Sequence, residues 1–449
     1  MANTASAIEF GALPSGWALV PVRSVVRKRR KLVGADSAAY KLLSLTLRGV
    51  IVRDLSGMKG KFPASFETYQ EVEPGDLVLC MFDVEETPRT VGLSRHYGMI
   101  TGAYDVYRSD DALGLEYLTR LLLVLDENKS LAPLYRGLRK TIPRSAFESL
   151  KVPMPTKEEQ GLIVRYLDHA ELRIAKAIAA KQRMIALLEE KRQVVAEEII
   201  LGRGRERSEL VETGIPWLGQ IPVNWSLTPC RAYLRRKKIL VGKDHKNHVL
   251  LSLTLRGLVV RDLSQMKGKF PSSFETYQQV NPGDFVFCLF DVDETPRTVG
   301  LSKDHGMITG AYDVFECADD SLRQYLYEYY LIVDASKKLK PLYRGLRKTV
   351  PSSAFASMRI PIPPPEERAM LVEQMKRSTL AVENAIDSLR NELLLLKEYR
   401  TRLISDVVTG KLDVREQAAN LPEIDPMELA VVSSTGAVND EDEESSDVD

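Results

Sequence analysis

The side chains best suited to chemistry in this sequence are cations in glycine-bearing loops, and they occur twice. Arg48, Arg53, Lys59 and Lys61 recur as Arg256, Arg261, Lys267 and Lys269; Arg89 recurs as Arg297; Arg136, Arg139 and Lys140 recur as Arg344, Arg347 and Lys348. Basic groups on such loops suit phosphate oxygens, and arginine can also grip the O6/N7 edge of guanine with two bonds. Gln70 and Gln278 follow the same Thr-Tyr pair in each copy, and their amides could pair with adenine through two bonds. The plain alternative for any one of these residues is a solvated surface charge or a turn residue. Thr87 and Thr295, two residues before Arg89 and Arg297, are a second choice for contacting bases.

Covalent chemistry finds no support. Transfer of a methyl group to an amine calls for an Asn/Asp-Pro-Pro-aromatic string, and the nearest strings are Asn-Pro-Gly-Asp at 281 and Pro-Pro-Pro-Glu at 363. A nucleotide-driven motor needs a GxxxxGK[ST] loop to cradle phosphates, and GMKGKF at 57 to 62 lacks both the spacing and the hydroxyl. Glu127 and Lys129 would suit a metal-dependent nuclease, but the second copy reads Ala335 and Lys337. His245 and His248 lie among Lys243 and Lys246, which repel a cation. Cys80 and Cys288 sit in matching apolar runs, where burial is the expected fate of a free thiol. The chain is therefore read as non-catalytic, with no metal or cofactor of its own.

These residues recur because the chain is duplicated. Residues 11 to 202 match residues 219 to 410 at a constant shift of 208 without a gap, and from Leu42 to Tyr107 there are 52 identities in 66 positions. Each copy begins with β-type runs such as DLVLCMFDV, punctuated by Gly, Pro and Asp. Each copy ends in a helical pattern. Ile163, Leu167, Ala170, Ile174, Ala177, Met184, Leu188 and Val195 step by threes and fours, interrupted near Lys181 and Lys191. The shifted stripe is Leu371, Met375, Ser378, Val382, Ala385, Leu389, Leu396 and Leu403. Prolines mark each helix start, and Gly202 and Gly410 each end.

The reading is an α+β chain with two tandem, pseudo-twofold-related α/β domains separated by a pair of long antiparallel coiled-coil helices. The first domain spans 11–157, a central helix 158–202, a linker 203–218, the second domain 219–365, a distal helix 366–410 and an acidic tail 411–449. At about 1.5 Å per residue, helices of this length reach roughly 60 Å. The formal charge is zero, yet residues 417 to 449 hold ten acids and no base, which leaves about +10 on the rest. A net positive body favours polyanions; the tail is read as disordered. No signal pattern and no membrane-length apolar run is present, so a cytoplasmic protein is expected.

Several phrases resemble the specificity subunits of Type I restriction-modification systems. ETGIPWLGQIPVNW (212 to 225) resembles the opening of that family's target-recognition domains, with a shorter form, LPSGW, at 13 to 17. LYRGLRKTIP (134 to 143) and LYRGLRKTVP (342 to 351) resemble the closing loop, VPMPTKEEQ and IPIPPPEER the start of the helix, and VVTGKLDVR (407 to 415) the exit from the second helix. The resemblance covers nearly the whole chain through Arg415.

It implies two target-recognition domains reading double-stranded DNA. It further implies two modification subunits carrying S-adenosylmethionine and methylating adenine N6, and motor-nuclease restriction subunits using ATP and magnesium, with those cofactors on the partners only. Near-identical copies lead to a further expectation: a bipartite, near-palindromic target with a non-specific spacer, since protein symmetry is mirrored by target symmetry. Family domains generally differ from each other, and here they do not. The rival reading is a pseudo-symmetric scaffold that binds only proteins.

Overall fold

A computed structural model describes residues 8, 10–53, 65–206, 209–261, 273–422, 424 and 428. Lys59, Lys61, Lys267, Lys269 and, in the acidic tail, residues 423, 425–427 and 429–449 lie outside them.

The chain divides into two units, Met1–Arg183 with Arg390–Val448, and Met184–Leu389. In the first unit the elements are β1 (Ala18–Pro21), β2 (Arg27–Arg29), β3 (Leu43–Thr46), β4 (Gly49–Val52), β5 (Gln70–Val72), β6 (Leu77–Leu79), β7 (Val91–Leu93), β8 (Gly98–Ile100), β9 (Asp105–Arg108), α1 (Ala112–Glu127), α2 (Arg144–Ser149) and β10 (Lys151–Met154). The 44-residue helix α3 (Lys157–Ile200) follows and passes into the second unit.

That unit opens with β11 (Leu210–Glu212) and β12 (Gln220–Pro222), which have no counterpart among the first unit's strands, and then repeats the series: β13 (Ser226–Pro229), β14 (Leu234–Lys237), β15 (Val249–Thr254), β16 (Gly257–Val260), β17 (Gln278–Val280), β18 (Phe285–Phe287), β19 (Val299–Leu301), β20 (Gly306–Ile308), β21 (Asp313–Cys317), α4 (Asp320–Ala335), α5 (Ser352–Ser357) and β22 (Arg359–Ile362). Helix α6 (Pro365–Val408), also 44 residues, returns to the first unit and is followed by α7 (Arg415–Ala419). The expected linker is not wholly irregular, because β11 pairs with β12 inside it and just beyond.

In each unit one antiparallel four-stranded sheet, β2-β9-β6-β7 or β14-β21-β18-β19, packs against the α1 or α4 helix. Both short central strands are buried throughout, consistent with their unbroken apolar runs. The two cores are filled differently. Leu77, Leu79, Leu121 and Leu122 of the first are replaced by Phe285, Phe287, Tyr329 and Tyr330 in the second, all essentially inaccessible. Leucines facing leucines have become phenylalanines facing tyrosines, so strand and helix changed together and kept the space filled.

The long helices start and stop on local chemistry. Thr156 and Glu159 form a reciprocal capping box on α3, Glu159 N–H donating to Thr156 Oγ1 at 3.3 Å and Thr156 N–H to Glu159 Oε2 at 3.4 Å. Gly202 and Gly410 adopt φ of +65° and +76° past the last turns. The Tyr117 hydroxyl donates to the Val408 carbonyl at 2.8 Å, and the Tyr325 hydroxyl to that of Ile200 at 3.1 Å, satisfying carbonyls that a helix end leaves orphaned.

Within the first unit Ile163, Leu167 and Ile174 of α3 share a core with Leu403 and Val407 of α6, and Lys181 pairs with Glu392. Within the second, Ile200 shares a core with Leu371 and Met375, and Arg192 lies 3.9 Å from Glu383. The helices therefore run antiparallel in both. Their seam departs from the expected stripe at two places: Met184 is 53% exposed, and Thr379 is buried where Ser378 was expected. A strict three-four stepping drifts around a 3.6-residue helix over this length. Among the described residues no helix is long and apolar enough to cross a membrane.

Candidate nucleic-acid interface

The LYRGLRKT strings at 134 to 141 and 342 to 349 form one construction in each unit, a tight hairpin anchored to a neighbouring loop. Arg136 and Thr141 exchange backbone hydrogen bonds at 2.8 and 3.0 Å, and Arg344 and Thr349 do the same at 2.9 and 3.0 Å. Gly137 and Gly345 supply φ of +68° inside the turn. The hairpin is tied sideways by Asp83 N–H to the Arg139 carbonyl at 2.8 Å and by Asp291 N–H to the Arg347 carbonyl at 2.8 Å. Non-glycine residues with positive φ mark the same spot: Asp83, Lys140, Asp291 and Lys348. Such backbone persists only where surrounding contacts over-determine it.

The cations on this hairpin divide into two kinds. Arg139 grips Asp83 with two bonds at 3.1 and 2.5 Å and lies 5.6 Å over the Phe82 ring; Arg347 repeats this with Asp291 and Phe290. The hydrogen bonds from Arg139 and Arg347 hold Asp83 and Asp291 below the usual aspartate range. Lys140 and Lys348 sit 3.4 Å from Glu85 and 2.7 Å from Asp293. Arg136 and Arg344 instead donate to backbone carbonyls, at 2.8 Å to Tyr135 and 2.9 Å to Tyr343. Those carbonyls orient the guanidinium without cancelling its charge.

Arg48 and Arg256 occupy exposed β3–β4 and β15–β16 turns, where each backbone N–H donates to a threonine hydroxyl, Thr46 at 3.1 Å and Thr254 at 3.2 Å. Arg53 and Arg261 extend the same hairpins and bond through their N–H groups to Leu42 and Leu250, both at 2.8 Å. Arg89 is half-buried.

Three expected contacts are placed otherwise. Gln70 and Gln278 are each only 4% exposed, and their amides donate to the Tyr104 and Tyr312 carbonyls at 2.7 and 2.6 Å. They hold a strand to the following turn, and a buried amide must find such partners. Arg297 donates to the carbonyls of Val299 at 3.1 Å and Leu255 at 2.5 Å and to the Tyr327 hydroxyl at 2.7 Å. Its guanidinium fastens a turn to α4.

Two features escaped the sequence reading. Leu138 and Leu346, at the hairpin tips, are each 101% exposed; a leucine inside a Gly-Arg-Lys turn was the available signal. The first unit also buries an ionic network. Asp76, fully inaccessible, accepts from Arg29 at 2.8 Å and Arg108 at 2.9 Å, and Glu71, 1% exposed, accepts from Lys31 at 2.9 Å, Tyr40 at 2.8 Å and Tyr97 at 3.1 Å. The second unit has Gln279, Ile239, His248 and His305 at the matching positions of Glu71, Lys31, Tyr40 and Tyr97, so the network is a property of one copy.

Burial alone would raise the Glu71 carboxyl, but hydrogen bonds from Lys31, Tyr40, Tyr97 and Arg29 outweigh it and hold it at about 2. A depressed carboxylate stabilises the fold above its unfolded value, and that stability is lost as pH falls toward the folded value. Acid titration from pH about 4.5 toward 2 should therefore unfold the first unit more steeply in the wild type than in Glu71→Gln. Amide exchange followed by peptide will check it; parallel losses in both proteins would contradict it.

No protein-family model matches the chain. A solved chain from work on complex assembly and conformational transition of the type I R-M system superposes with a TM-score of 0.54 at 14% identity, covering 90% of this chain and 100% of that one. The HsdS subunit from Thermoanaerobacter tengcongensis gives 0.45 at 15% identity, over 89% of this chain and 98% of that one. The Type-I restriction-modification system S subunit from M. genitalium gives 0.34 at 12%, over 93% and 99%. These last two superpose too loosely to add weight. This chain shares the fold of that chain of the type I R-M system.

Proposed function

We propose that this chain is the non-catalytic DNA-recognition subunit of a Type I restriction-modification complex working in the cytoplasm. The observation that carries the reading is the repetition, in two separately cored units, of a locked hairpin offering a charge-bearing arginine, Arg136 or Arg344. Arg48, Arg53, Arg89, Arg139 and Lys140 with their counterparts Arg256, Arg261, Arg347 and Lys348 form the wider contact set, together with Lys59, Lys61, Lys267 and Lys269. Arg139 and Arg347 would have to exchange an aspartate for a phosphate, so they contribute less than Arg136 and Arg344.

Two matching units support a bipartite, near-palindromic target read in opposite orientations, and two equivalent docking places for modification subunits. Those partners would bring S-adenosylmethionine and methylate adenine N6; motor-nuclease subunits would bring ATP and magnesium. Helices of 44 residues at about 1.5 Å each span about 66 Å. That caps the separation of half-site centres at roughly 19 base pairs of 3.4 Å.

Duplex binding measured across salt tests the reading. Binding should weaken by about 100-fold or more between about 50 and 200 mM salt, as several neutralised phosphates require. Affinity that ignores salt would favour a protein-only scaffold. Sequencing the modified genome then gives the motif, and two unrelated halves would refute the palindrome.

A further inference from the structure

We propose that Leu138 and Leu346 are apolar wedges that enter a base step of double-stranded DNA, one in each half-site. The inference rests on the DNA reading above and adds a mechanism to it. Each leucine is 101% exposed, as open as in an extended chain, and the next most exposed large hydrophobic among the described residues, Met370, reaches only 69%. A lone surface leucine ordinarily needs no explanation. These two differ because the backbone beneath them is fixed. The Arg136–Thr141 and Arg344–Thr349 backbone bonds close the turn, and the Asp83 and Asp291 N–H groups clamp its far strand. The paired Arg139–Asp83 and Arg347–Asp291 contacts, stacked on Phe82 and Phe290, brace the same strand. A freely moving loop would pay ordering entropy on insertion; this one has already been ordered.

The occupant follows from charge. Arg139 and Lys140 are balanced by their own carboxylates, whereas Arg136 and Arg344 are held by carbonyls and, among the described residues, pair with no acid. The tip thus presents a bare leucine beside an uncancelled cation. Side chains that unstack a base step share this pairing of an apolar wedge with basic neighbours on the phosphates.

The two copies add a second observation. Just before the hairpin the helices have diverged, EYLTRLLLVLDE against QYLYEYYLIVDA, while LYRGLRKT is unchanged. Drift has reached the helix surface and core but not the exposed tip.

The test uses the full chain and a randomised duplex pool from which the wild type selects its own ligands. For a selected duplex, Leu138→Ala with Leu346→Ala should weaken binding about tenfold or more while binding to unselected duplex is unchanged. A 2-aminopurine placed at successive half-site positions should brighten on binding to wild type and to Leu138→Met with Leu346→Met, and stay dark with the alanine pair. Equal affinity and equal brightening for wild type and the alanine pair overturn the wedge and leave the DNA reading standing. A wild type that retains no duplex overturns both. The substituted side chains contact only solvent, so the fold should be intact, and an unchanged Tm will verify it.

Discussion

Asp76→Ala should cost the first unit about 3 to 5 kcal/mol, because it strips the shared partner from two partly buried guanidinium groups. Arg29 and Arg108 both close on this inaccessible carboxylate, which also accepts the Glu73 N–H at 2.8 Å. Removing one member of a buried ionic set leaves the others desolvated and only partly compensated, here by Glu71 and Glu73 alone, so the loss exceeds the worth of any one bond. The matching Asp284→Ala should cost less. Asp284 answers to Lys237 at 2.8 Å and the Asn281 N–H at 2.7 Å, and Glu316 stands where Arg108 would be. Denaturant unfolding followed by peptide-resolved exchange reports the two units separately. Equal losses would mean that the network carries no weight beyond one ion pair and its backbone bond.

Gly410→Ala and Gly202→Ala should each lower stability by about 2 to 4 kcal/mol, combining left-handed backbone strain with overpacking. A methyl group on Gly410 would lie 2.5 Å from Pro14 Cγ, and one on Gly202 2.6 Å from Pro222 Cγ and 2.9 Å from the Trp225 ring. These neighbours are ring atoms in the segment that opens each domain, and they cannot rotate aside. The seam would open where the helix end meets the sheet domain, so the Trp225 fluorescence maximum should shift red in Gly202→Ala. An unchanged Tm in both variants would mean that the opening segments are free to retreat.

The duplication, the helices and their glycine stops were legible because each depends on short-range pattern, and copying displayed every pattern twice. Domain partition was less so. The expected boundaries at 157 and 365 follow chain order, while the packing boundary cuts both long helices, near Arg183 and Leu389. Nothing local in a helix announces which sheet its far end will cover. Side-chain fate was hardest. Gln70 and Arg297 looked like ligand-seeking groups, and each was claimed by a carbonyl of its own fold. Leu138 went unread, although a leucine set among Gly137, Arg139 and Lys140 marked a turn in which an apolar side chain has little to cover it. The ionic network went unread because Arg29, Glu71 and Arg108 lie on separate strands and Asp76 in the turn before β6, and only the sheets reveal which of them meet.

The cores draw walls from both copies: Leu403 and Val407, encoded in the second copy, close the first core, and Ile200 and Leu201, encoded in the first, close the second. Covalent ownership and spatial membership are thus exchanged at both ends. A protease cut between the copies, near Arg205, would produce two fragments that each hold a piece of the other's interior, and they should co-elute until denatured. Equally, a recombination event that joined the repeats in frame and excised one copy would leave a hydrophobic vacancy that only a like chain could fill.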